Sequence, residues 1–231
     1  MTLHYELGIV RTTITRPEPA QVARLAQFDV ATLHEAMEQK GLMQAYMRPV
    51  YPQAKLCGPA VTILVHPLDN WMMHVAAEQL QPGDVAVAAC SAECNAGFFG
   101  DLLATAYKAR GATGLVIDAG VRDVADLEKM GFAVFSKAIS AQGTAKARLG
   151  SVNIPIHCAG ALVHPGDVIV ADADGVVVVP QDQIDRVLAR ASERVAQEAQ
   201  KRAQLAQGQN SLDLYGMREA LAQAGLKYIT N

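Results

Sequence analysis

The middle third of the chain alternates between short apolar runs and segments whose apolar residues recur every three or four positions. The runs predict buried strands and the spaced segments predict helices. Glycines at 111 and 131 are placed to end two of the helices. The strands are predicted at 85–90, 114–118 and 133–138, and the helices at 101–110 and 124–130. This alternation is typical of parallel strands joined by right-handed crossovers, and therefore of an α/β fold.

The segments before this region predict further helices and one strand. Residues 19–41 read as helices, with Thr32 as the expected cap of one of them. The apolar run at 59–67 predicts a strand. Asn70 is the expected N-cap of a helix over 71–80.

The pattern changes after residue 150, where strands and turns replace helices. The run HPGDVIVADADGVVVVP (164–180) predicts a hairpin whose turn is the pair Asp174-Gly175. The tetrapeptide PGDV occurs at 82–85 and again at 165–168. We interpret this as two strands that are entered from the same kind of turn.

The chain becomes helical again from Gln181. Along this tail, basic residues and one acidic residue recur four positions apart and so form a single ridge on a helix. The ridge consists of Arg186, Arg190, Arg194, Glu198 and Arg202. A solvated face and a face packed on a neighbouring subunit both explain such a ridge.

Composition narrows the class of protein. The 231 residues are 51% hydrophobic and 19% charged, which suits one globular domain with a substantial core. A net charge of −3 provides no basic field for nucleic acid. No apolar run is long enough for a membrane span, and the first residues lack a signal-peptide pattern. We therefore expect a cytoplasmic protein, with reduced cysteines and without nucleic-acid or membrane partners.

The loop before the helix at 101–110 is a candidate anion site. Ligands gather at the carboxyl ends of parallel strands, and this loop lies there. The first amides of the helix, at Leu102 and Leu103, can bind a carboxylate, and Gly100 allows close approach. Alternatively, Asp101 only caps its own helix.

The turn after the strand at 114–118 carries the second candidate. Arg122 suits a planar carboxylate or an enolate oxygen, and Asp123 suits a hard cation such as Mg²⁺. A structural explanation is equally open at this point. Asp123 would then cap the helix at 124–130, and Arg122 would pair with Asp118 or Asp126.

Nearly the whole chain resembles a known enzyme family. The most specific segments are GDLLAT at 100–105 and DAGVRD at 118–123. Others are ATLHEAMEQKGLM, DNWMMHVAAEQL, MGFAVFSKAISAQGT, GSVNIPIHCAG and DLYGMREALAQAGLKYI. Together they resemble the RraA-like family of class II pyruvate aldolases, which act on 4-hydroxy-4-methyl-2-oxoglutarate and 4-carboxy-4-hydroxy-2-oxoadipate.

The resemblance implies the fold and the assembly. The expected fold is a β/β/α sandwich of the swivelling type, with a central βαβαβ unit and a long C-terminal helix. It would be a single domain over 1–231. Its tail, about 181–231, would pack on a neighbouring subunit of a trimer or hexamer.

The resemblance also implies roles for individual residues. Asp101 would orient a water that acts in proton transfer, and Arg122 would bind substrate. A cation, Mg²⁺ or Mn²⁺, would be held at Asp123 and Glu198. Asn70, His74 and Glu198 match positions that reach a site between subunits. The substrate-binding positions implied are Gly100, Asp101, Leu102, Leu103, Arg122, Asn70 and His74, with Asp101 and Arg122 as the catalytic pair.

The implied reaction is retro-aldol cleavage of a 4-hydroxy-2-oxo acid, which releases pyruvate. Oxaloacetate decarboxylation would be a secondary activity, and the pathway would be aromatic catabolism through gallate or protocatechuate. A Schiff-base aldolase is the mechanistic rival, with Lys137 as the lysine at the strand edge. A regulator of ribonuclease E is the functional rival, but that branch lacks the aspartate found here as Asp123.

Overall fold

The computed structural model describes residues 7–230. Eleven strands and eight α-helices are found in this range. The strands are β1 (Arg48–Pro49), β2 (Leu56–Val65), β3 (Val85–Cys90), β4 (Gly97–Phe99), β5 (Gly114–Val121), β6 (Ala133–Ile139), β7 (Ser151–Val152), β8 (Ile156–Cys158), β9 (Ala161–Val163), β10 (Val168–Asp172) and β11 (Gly175–Val179). The helices are α1 (Pro19–Leu25), α2 (Val30–Ala36), α3 (Trp71–Ala76), α4 (Asp101–Ala109), α5 (Val124–Met130), α6 (Ile184–Ala206), α7 (Ser211–Leu214) and α8 (Arg218–Gln223), with a 3₁₀ turn (Gln181–Gln183) before α6.

One sheet organises the molecule, in the order β1-β6-β5-β3-β2-β10-β11. The four central strands, β6, β5, β3 and β2, are parallel, while β1, β10 and β11 join antiparallel. The short strand β4 runs parallel to the end of β5. The carboxyl ends of the parallel strands therefore meet at one edge, where α4 and α5 begin.

The central strands are apolar on both faces because both faces are covered. On one face, α3, α4 and α5 pack through residues such as Met73, Tyr107 and Leu127. The other face packs on β8, β9 and the inner side of β10–β11, the last two strands of the same sheet. The outer side of β10–β11 packs on α1, α2 and α6. This layering, with its long C-terminal helix, confirms the α/β sandwich expected from the sequence.

Several predicted boundaries are confirmed. β3 and α5 have the predicted limits, and Gly131 ends α5 in the left-handed conformation, with φ 62°. α4 starts at Asp101 as predicted. The turns at the two PGDV segments are alike: Asp84 accepts a hydrogen bond from the Gln81 amide at 2.8 Å, and Asp167 accepts one from the His164 amide at 2.8 Å.

Three local predictions are wrong. The helix expected over 71–80 ends at residue 76. Thr32 does not cap α2; its amide instead donates to the carboxylate of Asp29, the true N-cap, at 2.6 Å. The hairpin turn is Ala173-Asp174, because Asp172 pairs with Gly175 across the two strands. Gly175 is therefore the first residue of β11, and the turn lies one residue earlier than predicted.

The tail only partly belongs to the core. The first turns of α6 bury Ile184, Val187, Leu188 and Ala191, and their packing partners include α1 and α2. In the basic ridge, Arg190 pairs with Glu38 at 2.6 Å and Arg194 approaches Glu35 at 3.7 Å, so two of its arginines neutralise acids of the same chain. Beyond Ala191 most residues are exposed, among them Leu205, Tyr215, Met217, Leu226, Tyr228 and Ile229. Contact of this tail with a neighbouring subunit stays a prediction.

Within residues 7–230, no helix has the length and the apolar character that crossing a membrane requires.

Candidate active site

A cavity of about 140 Å³ lies at the carboxyl edge of the parallel strands. The start of α4, the turn after β5, the start of α3 and an irregular segment after β6 form its walls. Its lining residues are Asn70, His74, Gly97, Phe98, Gly100, Asp101, Leu102, Leu103, Arg122, Gly143, Thr144 and Lys146. The structure therefore brings together all the predicted substrate-binding positions.

Asp123 sits beside this cavity in an unusual conformation. It occupies the N-cap position of α5 with left-handed backbone angles, φ 56° and ψ 38°, and its side chain makes no capping hydrogen bond. Instead, its Oδ2 accepts a hydrogen bond from the Asp101 amide at 3.2 Å. The alternative that Asp123 is the N-cap of α5 is therefore confirmed for its position, but its side chain does not bond the amides of that helix.

Gly100 is needed for this arrangement. A Cβ atom at Gly100 would overlap Oδ2 of Asp123, and it would also lie 3.1 Å from Cγ of Arg122. The space that glycine leaves open is thus filled by the Asp123 carboxylate. Gly100 also lines the cavity, and the close approach of a ligand anion to its backbone stays a prediction.

Arg122 projects from the same turn and remains 47% exposed. Its Nε lies 3.5 Å from Oδ2 of Asp123, which is the ion pair that the structure records for it. The proposed pairing with Asp118 or Asp126 is wrong, since neither forms an ion pair with Arg122 among the described residues. Asp118 instead accepts hydrogen bonds from the Tyr46 hydroxyl at 3.0 Å and from the Ala159 amide at 2.9 Å. The guanidinium of Arg122 is thus left with donors that can reach the cavity.

The amides at the start of α4 are partly engaged. Oδ1 of Asp101 accepts a hydrogen bond from the Leu102 amide at 2.8 Å, so Asp101 engages an amide of its own helix, but the N-cap residue is Gly100 and the capping alternative is only partly correct. The amide of Ala104 donates to Gly100. The amide of Leu103 has no acceptor among the described residues, and it remains for a ligand at this helix start.

Asn70 presents an unsatisfied acceptor. The residue is 8% exposed and its Nδ2 donates to the Phe98 carbonyl at 2.9 Å. Its Oδ1 is buried and has no hydrogen-bond partner among the described residues. Such an atom is costly to leave unpaired, which is a reason to expect a donor or a cation from a ligand. Asn70 thus holds the N-cap position of α3, while Asp69 supplies the capping carboxylate.

His74 lies on α3 and lines the cavity, as does Lys146. Partial burial and the positive charge of Lys146 both lower the pKa of His74 below its usual value. At neutral pH the imidazole is therefore predominantly neutral, and it can donate or accept a hydrogen bond.

Sequence reasoning missed Lys146 and its neighbours Gly143 and Thr144. They lie in residues 140–150, which form no helix or strand apart from one bridge at Ala145. No local pattern marks them, since the contacts that bring them to the cavity are long-range. The sequence signal that comes closest to indicating this segment is the polar pair Asp69-Asn70 before α3, because both residues contact it.

Two predicted positions lie away from the cavity in this chain. Lys137 pairs with Glu93 at 3.1 Å and lies over the Tyr46 ring, away from the cavity. Glu198 lies on α6, where it pairs with Arg194 at 2.9 Å. The Schiff-base rival therefore loses Lys137, and Lys146 is the lysine that lines the cavity.

The donor set is compatible with Mg²⁺ or Mn²⁺ but supplies few ligands. Within residues 7–230 there is no group of three or more His, Cys, Asp or Glu side chains that could hold a metal ion. Mg²⁺ often takes one or two protein carboxylates and fills its other positions with water or substrate oxygens. The carboxylate of Asp123 beside the start of α4, together with an uncommitted Oδ1 on Asn70 in the cavity wall, fits that mode and does not fit a closed protein cage.

A larger cavity, about 380 Å³, lies between the α1–α2 loop and β10. Its carboxylates are structurally committed: Asp29 accepts from the Thr32 amide, and Asp172 accepts from the Val30 amide at 3.0 Å. We therefore place the candidate active site in the smaller cavity.

The sequence profile of the RraA-like family, described as Aldolase/RraA, matches residues 30–178. This match covers more than half of the chain, and it includes the start of α4 and the turn after β5. The chain belongs to the RraA-like family.

Individual relatives agree with this assignment. A protein of Halalkalibacterium halodurans named "Putative 4-hydroxy-4-methyl-2-oxoglutarate aldolase" is 31% identical over 188 residues, covering 80% of this chain and 90% of the relative. The crystal structure of Streptomyces coelicolor RraAS2, described as an unusual member of the RNase ES inhibitor RraA family, superposes with a TM-score of 0.75 at 26% identity, covering 82% of this chain and 99% of the other. An uncharacterised protein of Pseudomonas syringae pv. tomato superposes with a TM-score of 0.75 at 25% identity, covering 85% and 97%.

Proposed function

We propose that this chain is a divalent-metal-dependent aldolase that cleaves 4-hydroxy-2-oxo acids. Its substrates would be 4-hydroxy-4-methyl-2-oxoglutarate, which yields two pyruvates, and 4-carboxy-4-hydroxy-2-oxoadipate, which yields pyruvate and oxaloacetate. The name of the Halalkalibacterium relative supports the first substrate. The family description supports an aldolase more broadly.

The arrangement of Asp123 carries the proposal. Its carboxylate turns away from its own helix and toward the start of α4, beside the half-exposed guanidinium of Arg122. Asp123 holds the N-cap position of α5, yet its side chain makes no bond to the amides of that helix. A carboxylate beside a guanidinium and an open helix start can hold a cation and an anionic 2-oxo acid side by side.

The residues of the cavity have distinct tasks in this reaction. The pyruvyl carboxylate binds at the Leu103 amide, and Arg122 donates to the oxygen that gains negative charge as the C3–C4 bond breaks. A preorganised donor of this kind contributes roughly 3–4 kcal/mol to transition-state stabilisation. The C4 hydroxyl loses its proton, its oxygen becomes the carbonyl oxygen of the second product, and the electrons of the C3–C4 bond pass to the pyruvate enolate. Asp101 positions the water that carries this proton, and a proton is returned to C3 of pyruvate.

A divalent cation, Mg²⁺ or Mn²⁺, would be held by Asp123, with Glu198 of a neighbouring copy as a further ligand. It would act as a Lewis acid toward the keto and carboxylate oxygens of the substrate. Loss of CO₂ from oxaloacetate produces the same pyruvate enolate, so oxaloacetate decarboxylation is the expected secondary activity.

The proposal includes a trimeric or hexameric assembly in the cytoplasm. Glu198 lies outside the cavity of its own protomer, and the exposed apolar residues of the tail need a cover. A second copy of the chain would satisfy both requirements. The physiological role would be the catabolism of aromatic compounds such as gallate and protocatechuate.

Pyruvate release from the two substrates tests the proposal directly. We expect turnover with added Mg²⁺ or Mn²⁺, loss of turnover on thorough chelation, and recovery when the metal is returned. Borohydride with substrate should leave activity intact, and Lys146→Met should still form product. Activity that survives thorough chelation would eliminate the metal route, and covalent trapping at Lys146 by borohydride would establish Schiff-base chemistry.

A regulator of a ribonuclease is the second candidate, because the Streptomyces structure that superposes on this chain belongs to an RNase inhibitor family. Two assays distinguish these functions: cleavage of the two substrates with added metal, and inhibition of a ribonuclease. Protein that cleaves neither substrate with added metal, yet inhibits a ribonuclease E-type enzyme, would be a regulator. The carboxylate at Asp123 is the reason we favour the aldolase.

A further inference from the structure

Residues 140–150, here termed the strap, cross the rim of the candidate active site without regular structure. The strap contributes Gly143, Thr144 and Lys146 to the cavity. At its first end, the Gly97 amide donates to the Gln142 carbonyl at 2.7 Å. An irregular segment needs such attachments, since nothing in its own backbone fixes its position.

The middle of the strap is attached to the chain just before α3. The Ala145 amide donates to the Leu68 carbonyl at 2.7 Å, and the Asn70 amide donates to the Ala145 carbonyl at 3.0 Å. These bonds place the strap beside Asn70, whose unsatisfied Oδ1 marks the cavity.

Asp69 completes the attachment. It is 3% exposed, and its Oδ2 accepts hydrogen bonds from two strap amides, Ala147 at 2.6 Å and Arg148 at 3.1 Å. Its Oδ1 accepts from the Trp71 amide at 2.9 Å, at the first turn of α3. One buried carboxylate therefore connects the strap to the helix that carries His74. A buried charge with this many donors is held firmly, because each bond is charge-assisted.

We propose that Asp69 is a positioning residue, whose carboxylate holds the strap on α3 and thereby keeps Lys146 and Thr144 against the cavity. Asp69 does not line the cavity itself, so it acts through the strap. The ammonium of Lys146 is then fixed where an anionic substrate binds, and the substrate does not have to order the strap on arrival. The consequence for substrate rests on the proposed function; the attachment of the strap does not.

Asp69→Asn is the sharpest substitution because it preserves shape. An amide side chain keeps one oxygen acceptor but replaces the other with an N–H₂ donor, which would face a backbone N–H. The matched control is Asp167→Asn. Asp167 is also a buried aspartate, and it accepts amides from His164 at 2.8 Å and Gln181 at 3.2 Å, far from the cavity in sequence and absent from its lining.

Hydrogen exchange, read by mass spectrometry with single-amide resolution, tests the attachment without substrate. In Asp69→Asn, the amides of Ala147 and Arg148 should exchange at least about tenfold faster, as expected for the loss of a buried hydrogen bond to a charged group. Trypsin should also cut faster after Lys146 and Arg148. Asp167→Asn should change neither. Unchanged exchange at residues 147 and 148 would overturn the proposal.

Kinetics with 4-hydroxy-4-methyl-2-oxoglutarate test the consequence. Asp69→Asn should raise KM about tenfold while kcat changes less than about threefold, because binding is weakened more than chemistry. A faster-exchanging strap with an unchanged KM would overturn its role in positioning Lys146. If wild-type protein has no aldolase activity, the proposed function fails, and the exchange result still decides the attachment.

Should Asp69→Asn not fold, the wild-type protein provides the test. The amides of Ala147 and Arg148 should exchange at least about tenfold more slowly than the amide of Lys146, for which no acceptor is recorded among the described residues. Equal exchange at the three positions would refute the attachment.

Discussion

Two polar clusters lie toward the carboxyl ends of β5 and β6, and they differ in how completely they are satisfied. In the first, the Asp118 carboxylate accepts from Tyr46 and Ala159, and Lys137 pairs with Glu93. We call this the closed cluster, since its main charges have partners within the chain. The open cluster is formed by Asn70, Arg122, Asp123 and Lys146, at the cavity.

The open cluster keeps capacity for a ligand. Oδ1 of Asn70 has no partner in the described part of the chain, and Arg122 is half-exposed with a single ion pair recorded, to Asp123. Both clusters contain an aspartate and a lysine at the edge of the same sheet, so residue type does not distinguish them. Unmet hydrogen-bonding capacity does, because a buried polar atom without a partner is unfavourable until a ligand provides one.

If the candidate site were chosen by the size of a pKa shift, the closed cluster would be chosen instead of the open one. Burial and the negative charge of Asp118 raise the pKa of Tyr46 to about 12, and this tyrosine belongs to the closed cluster. Perturbed pKa values often indicate active sites, but structural ion-pair networks produce them as well. In this protein, geometry is the better indicator.

The largest effect is expected from Asp123→Asn in the open cluster. Asparagine tolerates the left-handed backbone at this position, so the fold should be kept. Loss of the carboxylate should remove metal dependence and lower kcat/KM about a thousandfold, since a Lewis-acid cation supplies several kcal/mol. Pyruvate release and the thermal midpoint check this together. Near-normal turnover in a folded variant would remove Asp123 from the mechanism.

Arg122→Lys should have the next largest effect. A lysine keeps the charge but not the planar fork of donors, and kcat should fall about a hundredfold. The matched change in the closed cluster is Lys137→Met, which should leave kcat within about threefold because the recorded partners of Lys137 within residues 7–230, Glu93 and Tyr46, lie in its own cluster. Steady-state kinetics should show a larger loss of kcat in Arg122→Lys than in Lys137→Met. The opposite order would contradict the distinction between the two clusters.

Asp118→Asn should affect stability and leave catalysis intact. The Tyr46 hydroxyl and the Ala159 amide both donate to this carboxylate, and an amide cannot accept from both in place. We expect the free energy of unfolding to fall by about 1–3 kcal/mol. Denaturant unfolding measures this loss, and kcat/KM should stay within about threefold of wild type.

The smallest effect is expected from His74. Its pKa is lowered by burial and by Lys146, so it is neutral at pH 7 and becomes charged only as the pH falls below the ordinary value of 6.5. An anionic substrate favours the protonated imidazole, so KM should decrease as the pH falls through that region. His74→Gln should remove this decrease, which should not exceed about fivefold for a solvated ion pair. If the pH profile of KM is identical in the wild type and in His74→Gln, the role of His74 in substrate binding is contradicted.

The sequence predicts most of the framework because local patterns determine it. The apolar run of β3 and the spacing of α5, with Gly131 after it, are local signals and were predicted at the residue level. The cap of α2 was misplaced because Asp29 and Thr32 are both suitable capping residues, and only the structure shows that Asp29 accepts the bond.

The candidate site was only half predictable for a related reason. Arg122 and Asp123 follow a recognisable strand, whereas Lys146 lies in a segment without periodicity and reaches the cavity through contacts with residues 68–70. The alternation of side chains along β6 argues against Lys137 as an active-site lysine. Lys137 is two residues from Phe135 on β6, so both side chains face the layer opposite α4.

The left-handed backbone at Asp123 also limits which sequences can occupy that position. Glycine, asparagine and aspartate adopt this conformation at little cost, whereas valine, isoleucine and threonine do not. In a saturation library, the variants that accumulate as folded protein should therefore be few, and those that turn over substrate fewer still. At position 123, the residues that permit folding should form one set. The residues that also permit catalysis should form a smaller set within it, containing aspartate alone.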